Sequence, residues 1–181
     1  MERFWNYIYY SIYLFESNIT LFFRKILNFI FHPLTRISYL KNNLEKRGSS
    51  FEDIDNVAIR VLNDPRYGKS ITIAGIQMGG LLILIEYSLF NFLQVILDKS
   101  LIQYVWGDRI YRWIFLIGLL IIPGIINYIL LWKNDKYLEY FKKFEKEPKS
   151  IKHRWCWISF GVVIGVIFSL ALSFWLVTEL I

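Results

Sequence analysis

Residues 63–71 read NDPRYGKSI, and the reading of this stretch decides between two kinds of fold. Gly68, Lys69 and Ser70 match the end of a phosphate-binding loop, G-x-x-x-x-G-K-[ST], which sits between a buried strand and a soluble helix. The match stops there. Asn63 stands where the first glycine belongs, and Pro65 removes a backbone N–H from the loop that should cradle the anion. Upstream, FEDIDNVAIRVL places Phe51, Ile54, Val57, Ala58, Val61 and Leu62 at helical spacing, not in strand alternation. Downstream, ITIAGIQMGGLLILIEYSLF is too apolar for a soluble helix. The stretch therefore reads as a polar turn at a membrane edge, with Arg66 and Lys69 at headgroup level.

Working outward, the 181-residue chain is 55% hydrophobic, with its apolar residues in long runs that place it among all-α, polytopic membrane proteins. Three spans are expected, at about 71–97, 113–132 and 155–176. Trp113 and Trp132 are nineteen residues apart, ~28 Å of helix; Trp157 and Trp175, eighteen apart, are separated by ~27 Å. Both distances match a hydrocarbon core of ~30 Å with an indole at each interface.

The excess of 21 Lys+Arg over 15 Asp+Glu does not point to nucleic acid, because the basic residues lie between the apolar runs. Residues 133–154 carry eight of them and residues 32–70 carry seven, whereas residues 98–112 carry three and none follows Arg154. The positive-inside rule puts segments 32–70 and 133–154 in the cytoplasm and the C-terminus outside. The abundance of Ile, Asn, Lys, Phe and Tyr fits an AT-rich bacterial gene, so the expected location is a bacterial inner membrane. The start, MERFWNYIYYSIYLF, has neither a basic leader nor a small-residue cleavage site, so no removable signal peptide is expected.

The N-terminal region 1–31 is an amphipathic helix, with Phe4, Ile8, Ile12, Phe15, Ile19, Phe22, Ile26 and Ile30 on one face. Two placements fit, flat on the membrane or across it. Interfacial helices usually carry Lys and Arg along their polar face, and none occurs between Phe4 and Phe23. We therefore expect a fourth span whose polar face (Asn6, Tyr10, Ser11, Tyr13, Ser17, Asn18) turns toward the other helices, with Glu16 the residue that fits least well.

Residues 32–70 read as a small cytoplasmic helical hairpin. Pro33 suits a first helical turn, Leu34, Ile37, Leu40 and Leu44 form its stripe, and Gly48 suits its C-cap. Ser50 with Asp53 forms a capping box for a second helix ending at Leu62. Such a hairpin is too small for a core of its own and must dock on something. Within the third region, 71–181, the basic loop 133–154 is expected to prolong the second span as a helix up to Pro148. It carries a stripe of Tyr137, Leu138, Phe141 and Phe144, with Glu139 facing Lys143. Lys142, Lys143, Lys146 and Lys149 make this a surface for lipid headgroups or for a partner protein.

Within the spans, Gly75 and Gly79 form a GxxxG, and Gly161, Gly165, Ser169 and Ser173 form a glycine-zipper stripe. Small residues at this spacing let helix backbones approach closely, within one chain or between subunits. Glu86 lies mid-span, where an ionisable group costs roughly 2.5–3.5 kcal/mol on insertion scales, so packing against another helix and gating both remain open. Tyr87, Asn91, Gln94 and Asp98 form a second stripe that either lines a wet crevice or pairs with the first helix. Pro123 with Gly124 permits a kink, and Asn127 is placed to bond a freed group or another helix.

No catalytic, cofactor-binding or metal-binding set is present: His32 and His153 lie at membrane boundaries, and Cys156 lies between two tryptophans with no activating base nearby. In the layout of its apolar segments, 4–23, 71–97, 113–132 and 155–176, the chain resembles the membrane subunits of Kiwa antiphage systems. That resemblance implies a homo-oligomeric membrane component that senses phage-related disturbance and works with a cytoplasmic effector. The expected function is thus a non-enzymatic subunit that self-associates and recruits or regulates a cytoplasmic partner. The alternative is a self-sufficient oligomeric channel or pore-forming effector.

Overall fold

The computed structural model describes residues 1–35, 42, 44, 46 and 48–180. Its elements are α1 (Glu2–Thr35), α2 (Phe51–Leu62), α3 (Lys69–Leu97), α4 (Leu101–Gly107), α5 (Arg109–Asn127), α6 (Lys136–Glu145) and α7 (Lys149–Leu180). No strand occurs among the described residues. Three helical stretches are long and apolar enough to cross a membrane: α3 with 29 residues, Arg109–Glu145 with 37 and α7 with 32. The described residues are thus all-helical, consistent with a multi-pass membrane protein. Helix α1 is longer than two of these, with 34 residues, but is not among them. Its early turns are rich in Tyr and Trp, whose polar tips dilute the apolar character, and Glu16, Arg24 and Lys25 interrupt the rest.

Two expectations about helix ends change. Helix α1 runs on through Pro33 to Thr35, so Pro33 falls in a last turn instead of a first one, forfeiting the single bond its missing N–H would have made. The rest of the stripe expected at Leu34, Ile37, Leu40 and Leu44 lies mostly outside the described residues. The second span also does not continue as one helix to Pro148. A π-helical turn, Tyr128–Trp132, follows Asn127. At its end, Asn134 (φ 60°) and Asp135 (φ 53°) adopt left-handed backbone, which Asn and Asp tolerate better than other non-glycine residues. The chain turns there, and α6 is a separate helix. Pro123, by contrast, sits inside α5.

The caps form as expected. Gly48 has φ +68° and Ser49 N–H donates to Leu44 O at 3.1 Å, the wider bond of a Schellman cap. At α2, Asp53 N–H donates to Ser50 Oγ and Ser50 N–H donates to Asp53 Oδ2, each at 3.0 Å.

The described chain divides into two compact units, residues 12–75 and residues 1–11 with 76–181. In the first, α2 and the turn before α3 pack on the polar face of α1. Arg24 Nε donates to Asp55 Oδ1 at 2.6 Å, Asn28 Nδ2 to Asp55 Oδ2 at 3.1 Å, and Tyr13 Oη to Asn63 O at 2.6 Å. Glu16 is buried here. In the second unit the first turns of α1 pack on α6, on the start of α7 and on the end of the second span.

Candidate intramembrane and cytoplasmic interfaces

The GKS turn spends its donors on its own chain. Asp64 Oδ1 accepts Arg66 N–H at 2.7 Å and Tyr67 N–H at 2.9 Å, so a carboxylate already sits where a bound anion would be held. These two donors hold the Asp64 carboxyl below the usual carboxylate range. The turn's stabilisation is therefore present above the ordinary Asp pKa and lost as pH falls through the lowered value. Gly68 serves packing: a Cβ there would come within 2.6 Å of Asp64 and Leu62 backbone atoms. Ser70 Oγ donates to Asn63 Oδ1 at 2.8 Å. The Arg66, Tyr67 and Gly68 N–H groups and the Ser70 hydroxyl are thus engaged in closing the turn.

Helices α3 and α7 are joined by a ladder of buried polar side chains. Ser88 Oγ and Ser169 Oγ are 2.9 Å apart, and Asn91 Nδ2 donates to Ser173 Oγ at 3.2 Å. Gln94 Nε2 donates to Asn91 Oδ1 at 3.3 Å, and Gln94 Oε1 accepts Ile102 N–H at 3.1 Å. Tyr87 is half-buried and Asp98 exposed, while Asn91, Gln94 and Ser173 are at most 1% exposed, so the middle of the stripe is a buried helix–helix seam. Its partner is α7, not the N-terminal helix. Interhelical hydrogen bonds in membranes contribute on average ~0.6 kcal/mol each, so the ladder sets register more than it supplies stability.

The glycine-zipper stripe divides between two tasks. Ser169 and Ser173 belong to the seam. Gly161 and Gly165 are exposed, and a Cβ at either, or at Gly79, would meet nothing within 4 Å. Gly165 lines a groove of about 220 Å³ together with Ile85, Ser88, Leu89, Val162, Val166 and Ser169. Gly75 is half-buried in the other unit. Glu86 is half-buried on α3, and its Oε1 is buried without a hydrogen-bond partner.

A cluster of packed aromatic rings lies beneath the basic loop. The Tyr7 ring stacks on Phe144 (centroids 3.7 Å) and on Trp155 (4.5 Å), while Tyr9 and Tyr10 meet Phe141 at 5.5 and 4.9 Å. The expected stripe of Tyr137, Leu138, Phe141 and Phe144 is buried throughout, so α6 spends its apolar face on α1. Polar contacts fasten the rim. Trp5 Nε1 donates to Asn127 Oδ1 at 2.9 Å, and Asn6 Nδ2 to Leu130 O at 2.9 Å. Ser159 Oγ donates to Ser11 Oγ at 3.0 Å. Arg3 and Lys136 pair with Glu147 and Glu2 at 3.1 and 3.3 Å, and Tyr7 Oη also donates to Glu147. Lys142, Lys143, Lys146 and Lys149 are left exposed on the outer surface. No protein-family model matches the chain, and no curated protein or solved structure is significantly similar to it.

Sequence reading missed this aromatic clasp, although the run NYIYYSIY at residues 6–13 carries four tyrosines, whose hydroxyls call for partners where the rings are buried. Another surface appears on α2, where Ile54, Val57 and Val61 are 47%, 57% and 62% exposed. The remaining candidates stay apart: His153 Nε2 accepts Trp157 Nε1–H at 2.9 Å, and Cys156 is exposed. His32 falls within α1.

Proposed function

We propose that this chain is a non-enzymatic subunit of the bacterial inner membrane that self-associates and recruits or regulates a cytoplasmic partner protein, with antiviral defence as its setting. The observation that carries self-association is the open glycine surface on α7. Only 6% of that helix's most apolar window is buried within the chain, and its Gly161 and Gly165 leave a backbone exposed to close approach. Glycine in a lipid-facing helix forgoes side-chain packing; against a second helix it permits contact that larger residues forbid. Partner recruitment is supported by the outward lysines of α6 and by the Ile54–Val57–Val61 ridge, which is about half exposed. The antiviral setting rests only on the resemblance of segments 71–97, 113–132 and 155–176 to the layout of Kiwa membrane subunits, and α1 does not contribute to it.

Gly165→Leu tests self-association. The added side chain fills the groove against Ile85 and Leu89, so the purified protein in mild detergent should shift from oligomer toward monomer. An unchanged oligomer size removes α7 from the subunit interface. Orientation has its own test, in a Cys156→Ser background. Cysteine at Ser100 should react with an impermeant thiol reagent in intact cells, and cysteine at Ser150 should not. The reverse pattern puts the lysines and α2 outside and ends the partner argument.

A further inference from the structure

We infer that α1 does not cross the bilayer but lies in the plane of the cytoplasmic leaflet, with its outward apolar stripe embedded among lipid acyl chains. The inference rests on reading α3, the α5 stretch and α7 as spans. It follows from counting crossings. Glu2 pairs with Lys136, Arg3 with Glu147, and Tyr7 stacks on Phe144, so the start of α1 shares a side of the membrane with segment 133–154. Between the two lie α1, α3 and the α5 stretch. Two crossings return the chain to its starting side and three do not. If α3 and α5 each cross once, α1 crosses an even number of times; its 34 residues form one continuous helix, so that number is zero. The far end agrees, since Arg24 and Asn28 bond Asp55, in the segment that enters α3.

The missing basic residues then have a physical account. An ordinary interfacial helix turns its polar face to water, where Lys and Arg are solvated and reach the headgroups. In α1 that face is occupied by the protein itself, through Tyr13, Thr20, Arg24 and Asn28. At 3.6 residues per turn, Phe15, Phe22, Ile26, Phe29 and Ile30 fall within roughly 100° of arc on the opposite side. They are 63%, 61%, 40%, 85% and 59% exposed. So apolar a stripe on a helix tethered at a membrane edge is covered by acyl chains, and Lys25, exposed beside it, is placed for anionic headgroups.

The test is a depth measurement on the full chain, with Cys156→Ser, in vesicles of phosphatidylethanolamine and phosphatidylglycerol. Nitroxides are attached singly to cysteines at Phe15, Phe22 and Phe29, with Ile164 on α7 as the mid-span reference. An in-plane helix places all three at one shallow depth, about 5–10 Å below the headgroup boundary, with Ile164 far deeper. A crossing helix separates Phe15 from Phe29 by ~21 Å along the normal, and a depth gradient of that order overturns the inference. So does water-like accessibility at all three sites, which would lift α1 off the bilayer. A shallow Ile164 would instead sink the reading of α7 as a span, a failure distinct from that of α1.

Discussion

Phe144→Ala should lower the unfolding stability of the detergent-solubilised protein by about 3–5 kcal/mol, the usual cost of emptying a buried aromatic site. Phe144 is 1% exposed and stacks on Tyr7, so its loss leaves a void that the rigid rings of Tyr7, Tyr10 and Trp155 fill poorly. Phe144→Leu restores much of the volume and should recover more than half the loss. Phe160→Ala, at a site 57% exposed on α7, should change stability by less than about 0.5 kcal/mol. Denaturant midpoints for the three variants decide the matter. Equal values for Phe144→Ala and wild type would mean that the clasp does not hold α1 to α6. The consequence reaches beyond stability: with its apolar face freed, α6 would become the amphipathic lipid anchor that its sequence alone suggests.

That contrast shows where local sequence stops being informative. The periodicity of Tyr137, Leu138, Phe141 and Phe144 identifies a face that must be covered, but periodicity is a property of one helix and does not name the cover. The cover lies some 130 residues earlier, in a tyrosine run whose own pattern reads equally well as a membrane face. Tryptophan spacing placed the spans because bilayer thickness is an external ruler that acts on each helix separately. The Ser50–Asp53 box and the Gly48 cap were legible for a similar reason, since their bonds close within six residues.

The zipper stripe was only half legible. Steps of four residues advance about 40° beyond a full turn of helix, so three steps from Gly161 to Ser173 rotate the stripe by about 120°. One end consequently bonds Asn91 of α3, Gly165 lines a groove beside α3, and Gly161 at the other end is exposed. The second span misled in another way. Pro123 and Gly124 permit a kink, but the helix does not end there, since both lie inside α5. The chain turns instead at Asn134 and Asp135, polar residues just past the apolar run, where left-handed backbone can be solvated.

Glu86→Leu should weaken self-association roughly 5- to 30-fold while leaving the monomer at least as stable as wild type. Among the described residues Glu86 Oε1 has no hydrogen-bond partner, so within one copy that oxygen is desolvated without return. Removing it relieves an insertion penalty of roughly 2.5–3.5 kcal/mol. A second copy can supply the missing bond, and interhelical polar contacts in membranes contribute about 1–2 kcal/mol in model peptides. Each 1.4 kcal/mol is tenfold in association, which sets the expected range. Glu86→Gln keeps the shape and a hydrogen-bonding amide, so it should retain the oligomer. The opposing signs separate this reading from a simple folding defect, which would lower monomer stability and association together. A channel makes a different demand: the carboxylate must be charged and wet, so Glu86→Gln would alter ion flux while the oligomer stays whole. Flux through liposomes bearing wild type and Glu86→Gln, measured beside the oligomer size of both variants, distinguishes the two. A reproducible current that changes with the Glu86 charge would replace the scaffold with an ion path; no such current, together with a Glu86→Leu protein that dissociates, makes the carboxyl a contact between subunits.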